Sequence, residues 1–306
     1  MTQITATQNT TPSGFCAGQT KRRTPVQHMA IGVSARTLSK VAPKLAALWL
    51  ERIFITPRKF ARPEREIHWM AGADTRWVTI DGGTKVPVYT WGTGPTVLLV
   101  HGMSGRASQM AAFVKPLMDQ GFQVVAFDAP AHGQADGKRT TLPEIAAVLL
   151  QLGEVLGPLH AIVAHSIGAA ATTIALSQGM DAGRAVSISA PEDLRAYLHR
   201  LARLTGFSEF VADLAQAKLE KRTGFEFEAL RGRSLAPAMK TPALMFHDKT
   251  DRMVPFSEGQ TNAARWPGAE LIATEGLGHS RILRDQDVIR VAIRFLAIQR
   301  AVQLFQ

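Results

Sequence analysis

The sequence predicts an α/β protein: a mostly parallel, eight-stranded sheet with helices on both faces. Short apolar runs at 96–100, 123–127, 160–165, 185–189, 243–247 and 270–274 alternate with helical patterns near 107–120, 142–156, 167–178, 257–265 and 285–302. Runs without polar alternation read as strands covered on both sides, and parallel strands need crossover helices to join them. Upstream, Trp77-Val78-Thr79-Ile80 and the segment 86–91 flank Asp81-Gly82, a pair suited to a tight turn. They supply a hairpin as the first two strands.

The interval from Pro191 to Pro242 is too long for a simple connection. Its pattern is helical over 192–204 and 208–222, with Leu194, Tyr197, Leu198 and Leu201 forming an apolar stripe. This predicts a helical lid, about 192–241, inserted after the sixth strand. Lids exclude water and shape a substrate pocket; the alternative is a purely structural insertion.

The 306 residues, 46% of them hydrophobic, suit one large domain, 69–306, preceded by an N-terminal extension, 1–68. The net charge of +10 is concentrated in that extension, where eleven Lys and Arg face only Glu51, Glu64 and Glu66. Residues 1–36 are rich in Thr, Gln, Ser and Gly and are expected to be mostly disordered. A helix over 43–53 follows, Pro43 being acceptable at a first helical position, with Leu45, Leu48, Trp49 and Ile53 on one face. That stripe is expected to dock onto the chain's own domain, over the sheet edge. The basic extension also fits a weak peripheral contact with an anionic membrane, a solvated arm being the plainer reading. No nucleic-acid motif is present. The single Cys16 forms no intramolecular disulfide, no apolar run approaches the length of a membrane span, and the extension lacks the apolar core of a secretory signal. A cytoplasmic location is the expectation.

Chemistry concentrates at the strand ends. Ile162-Val163-Ala164-His165-Ser166-Ile167-Gly168 runs a buried strand into a serine between two small residues and on into an Ala-rich helix. So tight a strand-to-helix corner has no room for side chains two positions from its apex, which gives Ala164 and Gly168 a steric role and leaves Ser166 projecting. Ser is also a good helix cap, so this frame alone decides little. Three further pieces follow in order: Val100-His101-Gly102 after a strand, Asp248 and Asp251 around His247-Asp248-Lys249-Thr250-Asp251-Arg252-Met253-Val254-Pro255, and His279 in a Gly-flanked loop at Gly276-Leu277-Gly278-His279. A serine hydroxyl needs a base to take its proton, and an imidazole oriented by a carboxylate can do so.

With Asp128-Ala129-Pro130-Ala131-His132-Gly133, these pieces make the chain from about Trp69 onward resemble a serine-dependent α/β-hydrolase of the bacterial esterase/lipase kind. The order Ser, Asp, His is the one that family uses. The resemblance implies Ser166 as nucleophile, His279 as general base and acid, and Asp251 as its orienting carboxylate, since Asp251 stands before Arg-Met-Val-Pro where the family places its acid; Asp248 competes. It implies an oxyanion hole from the backbone amides of Ile167 and Met103, and a substrate pocket bordered by His101, Gly102 and His165. His101 is further expected to brace the oxyanion loop and His132 to be structural. No histidine cluster has metal-ligand spacing and no dinucleotide or P-loop fingerprint is present, so neither metal nor organic cofactor is expected. The implied substrate is a carboxylic ester with a small or medium apolar acyl group. An acyltransferase or thioesterase would use the same residues. A non-catalytic binding module on this fold would need no matched triad.

Overall fold

The structure is a computed structural model that describes residues 25–297. The polar segment 1–24, with Cys16, and the end of the predicted last helix, 298–302, lie outside it.

Eight strands form one sheet: β1 (Asp74–Thr79), β2 (Lys85–Trp91), β3 (Thr96–Val100), β4 (Gln123–Phe127), β5 (Ala161–His165), β6 (Ala185–Ile188), β7 (Ala243–Asp248) and β8 (Glu270–Thr274). Their spatial order is β1-β2-β4-β3-β5-β6-β7-β8. The pairs β1/β2 and β2/β4 are antiparallel and the rest parallel. The first hairpin turns at Asp81–Gly83, where Gly82 and Gly83 have φ of 79° and 80°, a region that favours glycine.

Twelve α-helices are described: α1 (Pro25–Val41), α2 (Pro43–Ile55), α3 (Glu64–Met70), α4 (Val114–Met118), α5 (Leu142–Leu156), α6 (Ile167–Ser177), α7 (Leu194–Thr205), α8 (Glu209–Thr223), α9 (Gly232–Leu235), α10 (Phe256–Arg265), α11 (Gly278–Arg281) and α12 (Gln286–Ala297). The predicted helix over 107–120 is a 3-10 segment, Ala107–Phe113, running into α4. Helix α5 starts where it should because Thr141 and Glu144 form a reciprocal capping box, with Leu142-Pro143 in its first turn.

Alternate residues of the central strands face opposite cores. Leu98, Val125, Phe127, Ile162 and Ala164 pack with α5, α6 and the insertion helices α7 and α8; Val97, Leu99, Val124, Ala126 and Val163 pack with α4 and α12. Two covered faces explain why these strands are apolar without a break.

Three expectations change. Residues 25–36 are helical, in α1, not disordered: Ala35 is fully buried, and Gly32 lies close against Gly206 at the end of α7. Helix α2 docks onto the domain through Trp49 and Ile53 of the expected stripe, but Leu45 and Leu48 are exposed and its partner is α8, not the sheet edge. It turns Ala46, Ala47 and Leu50 inward, and it packs beside α8, which buries Val211, Ala212 and Ala215. Small residues let two helices approach closely, which a Leu stripe would prevent. Glu51, also on the inner side, is buried and paired with Arg222 at 2.7 Å. Finally, His279 lies in a helical turn, α11, that Gly278 begins, where a loop was expected.

Candidate active site

The carboxyl ends of β3, β5, β7 and β8 carry the loops that meet at Ser166. The serine caps α6 with φ 53° and ψ −126°, a backbone conformation that non-glycine residues adopt only when the surroundings impose it. Its amide donates to the Ile188 carbonyl at 2.9 Å, fixing the corner to β6. The steric reading of Gly168 holds in detail: a Cβ there would come within 2.3 Å of the His101 carbonyl oxygen. Ala164 is buried in the same corner. Gly102 is equally constrained, since a Cβ would lie 2.9 Å from both the Ser166 Cβ and the His165 ring.

Three side chains distant in sequence form one hydrogen-bonded chain. Ser166 Oγ lies 2.9 Å from His279 Nε2, and His279 Nδ1 lies 2.7 Å from Asp251 Oδ2. With Nδ1–H donating to the carboxylate, Nε2 is the acceptor for the serine proton. Asp251 Oδ1 accepts the amides of Met253 at 2.8 Å and Val254 at 3.0 Å. Burial works to raise the Asp251 pKa, but the hydrogen bond and charge of His279, followed by those two amides, hold it below the ordinary carboxylate value.

Asp248 does not reach His279. Its carboxylate is spent on Thr250 N and Oγ1, Thr274 Oγ1 and the Leu277 amide, which ties β7 to the segment leading into α11. Despite the opposing effect of burial, these bonds keep it ionised well below the usual range. The geometry therefore separates the two carboxylates: one faces the imidazole and the other builds the loop that carries it.

The amides of Met103 and Ile167 donate to no acceptor among the described residues. The loop of Met103 is held from below. His101 donates Nδ1–H to the Gly102 carbonyl at 2.8 Å and accepts the Ala129 amide on Nε2 at 3.0 Å. His132 accepts the Ser104 amide on Nε2 at 2.9 Å and donates Nδ1–H to the Pro130 carbonyl. Burial drives the pKa of His101 down to about 4 and that of His132 to about 3, so both rings are neutral braces. His101 thus braces the loop as expected but does not border a pocket: both ring nitrogens are used internally and only 3% of the residue is exposed.

His165 donates Nε2–H to the His279 carbonyl at 2.8 Å. With Ser280 it also borders a cavity of about 310 Å³, whose other walls include Trp69 of α3, Ala112 and Leu283.

Sequence reasoning missed Asp128 and Glu66. Asp128, fully buried after β4, accepts from the Ala107 and Gln134 amides and the Tyr89 hydroxyl. Glu66 of α3 accepts from Arg106 Nε at 2.8 Å and Ser108 Oγ at 2.8 Å. Asp128 stood in the quoted Asp-Ala-Pro-Ala-His-Gly run. Glu66 carried no signal, because a lone Glu in a basic segment reads as a surface charge.

The sequence pattern of the alpha/beta hydrolase family matches residues 97–291. The chain belongs to the α/β-hydrolase family. Among solved structures, this hydrolase is similar to an esterase of Pyrococcus furiosus (20% identity, TM-score 0.60, covering 79% of this chain and 98% of the other). It is also similar to a bromoperoxidase of Bacillus anthracis (19% identity, TM-score 0.58, covering 73% of this chain and 99% of the other). At such identities the likeness concerns the fold. A segment of 94 residues is 33% identical to a protein of Mycobacterium phage D29 named "Putative non-heme haloperoxidase", spanning 30% of this chain. The match takes in only about a third, 34%, of that relative's length.

Proposed function

We propose that this hydrolase cleaves carboxylic esters through an acyl-enzyme on Ser166. The observation that carries the reading is the unbroken hydrogen-bonded chain Ser166 Oγ, His279, Asp251. His279 Nε2 takes the hydroxyl proton as Oγ attacks the acyl carbonyl, and the negative Asp251 stabilises the imidazolium that forms. The tetrahedral oxyanion turns toward the free amides of Met103 and Ile167, each donor of this kind contributing roughly 3–4 kcal/mol where it has been measured. His279 then protonates the leaving alcohol, and a water activated by the same ring releases the acid and restores Ser166. The apolar side chains of Met103 and Ile167 favour an apolar acyl group beside the reacting carbon, and the insertion between β6 and β7 is assigned the part of a lid.

Hydrolysis of a graded series of para-nitrophenyl acyl esters by wild type and Ser166→Ala tests the reading. Turnover by the wild type that disappears in the variant is expected, with covalent labelling of Ser166 by a fluorophosphonate; equal rates in both proteins would refute it. The name of the phage relative motivates one further arm. Hydrogen peroxide replacing water as acceptor from the acyl-enzyme would release a peracid, detectable by halide oxidation.

A further inference from the structure

Beside the Met103 loop lies a small cleft of about 140 Å³, lined by Arg58, Lys59, Phe60, Arg62, Ser104 and Arg106, with the His132–Gln134 turn closing it. No carboxylate is among its lining residues. Two acids reach its wall and both are buried and taken up: Glu66 by Arg106 and Ser108, and Asp128 by the Ala107 and Gln134 amides and the Tyr89 hydroxyl, against four cationic side chains. Arg62 interacts with Tyr89. Arg58 and Lys59 are exposed, and Lys59 is near enough for its charge to help hold His132 neutral. The cleft therefore presents a surplus of positive charge over a neutral imidazole.

Its walls are fixed. Arg106 donates to the carbonyls of Phe60 and Ala61, and the Arg58 amide donates to Ser104 Oγ at 2.9 Å, so the segment joining α2 to α3 is stitched onto the Met103 loop. The Arg58 guanidinium sits 5.4 Å from the Phe60 ring centre, which limits where it can swing. Ser104 holds φ at 59°, a conformation sustained by the bond from its amide to His132.

The cleft is also close to the reaction centre. Gly102 touches Ser166, Ser104 lines the cleft, and two residues of chain span at most about 7 Å. An ester held at Ser166 would reach Arg58 and Lys59 by extending an end along this loop, to which the Arg58 amide is bonded through Ser104.

We propose that this cleft binds an oxyanion, a carboxylate or a phosphate, carried by the ester substrate. The inference rests on the Ser166 reading and narrows it: the substrate joins an apolar reacting segment to an anionic end. Arg58 and Lys59 supply the charge, and the Ser104 hydroxyl, which already accepts from the Arg58 amide, keeps a proton to donate.

The test has a catalytic and a binding half, both on the full chain at fixed ionic strength. In the first, para-nitrophenyl hydrogen glutarate is compared with para-nitrophenyl valerate, placing the anion on the acyl side. Para-carboxyphenyl valerate against para-nitrophenyl valerate places it on the leaving group. One anionic ester should be preferred, and the ratio of its kcat/KM to that of its neutral partner should fall about ten-fold in Arg58→Gln/Lys59→Gln. In the second half, glutarate and inorganic phosphate are titrated calorimetrically into Ser166→Ala, with and without the two Gln substitutions. Ten-fold weaker binding with the substitutions supports the cleft, and the better ligand tells carboxylate from phosphate. Equal ester ratios in wild type and double variant, or anion binding indifferent to the substitutions, would overturn the proposal. If the wild type cleaves no ester while Ser166→Ala binds anions through Arg58 and Lys59, the Ser166 reading falls and the cleft stands.

Discussion

His165, immediately before the nucleophile, donates from Nε2 to the main-chain oxygen of His279 at 2.8 Å. The ring beside the serine thus holds the backbone of the residue that must take the serine proton. Burial, aided by repulsion from His279, drives the His165 pKa down to about 3, so this donor is neutral and its proton stays on Nε2. His165→Leu is expected to lower kcat about ten-fold or more with little change in KM, and His165→Gln, which can still donate, should recover part of the loss. Wild-type kcat in the Leu variant would show that the contact has no part in positioning the base.

The two aspartates of the β7 loop should separate cleanly by mutation. Asp251→Asn leaves His279 without its charge partner and is expected to reduce kcat about a thousand- to ten-thousand-fold, with a smaller loss of stability than Asp248→Asn. Asp248→Asn weakens four hydrogen bonds around a fully buried group and is expected to cost about 2 kcal/mol in stability, read by urea titration. A greater loss of kcat in Asp248→Asn would reverse the assignment.

Gly168→Ala tests the corner itself. The added carbon would press on the His101 carbonyl and on the Val100 side chain, neither a flexible side-chain end. The variant is expected to lose activity at least ten-fold and to melt lower, because relieving the contact moves either Ser166 or the Met103 loop. Unaltered kinetics and melting temperature would mean that the corner has slack absent from this packing.

Stability should decline as pH falls below the ordinary histidine value of 6.5. His101 is held at about 4, and His132 and His165 at about 3, each principally by burial. The unfolded chain takes up protons on these rings below pH 6.5, whereas the folded chain does not until about pH 4 and lower. The unfolded state is therefore favoured as pH drops through this window, by up to about 1.4 kcal/mol per pH unit for each ring. Below about pH 4, Asp248 and Asp251, both held under their ordinary value, add further loss. Urea midpoints from about pH 7 to about pH 4.5 should drop steadily, and a flat profile would contradict the buried, neutral state of these rings.

The sheet was readable because its central strands are buried on both faces. Thr96–Val100 and Gln123–Phe127 end where their apolar runs end. Strand order was not readable, since the pairing of β2 with β4 in place of β3 depends on which edges meet across the sheet. Ser166, Asp251 and His279 could be named because each follows a strand end in a distinctive local frame. Helix α1 was missed for the opposite reason: its Thr, Ser and Gly give little intrinsic signal, and its described part is secured by tertiary contacts, Gly32 against Gly206 and Ser39 accepting from the Ser208 amide. The stripe assigned to α2 holds for Trp49 and Ile53, which pack against the core, and fails for Leu45 and Leu48, because close packing beside α8 selects Ala46 and Ala47 for the inner face.

The pairing of Glu51 with Arg222 closes a loop of 171 residues, and it has a consequence for biosynthesis. During translation, α2 leaves the ribosome with its alanine face bare, and the helix that will cover it emerges only after six strands have been made. Because loop entropy grows only with the logarithm of length, this delay costs the finished molecule little. The delay bears instead on the nascent chain, in which the inner face of α2 stays without its α8 cover until that late segment is synthesised.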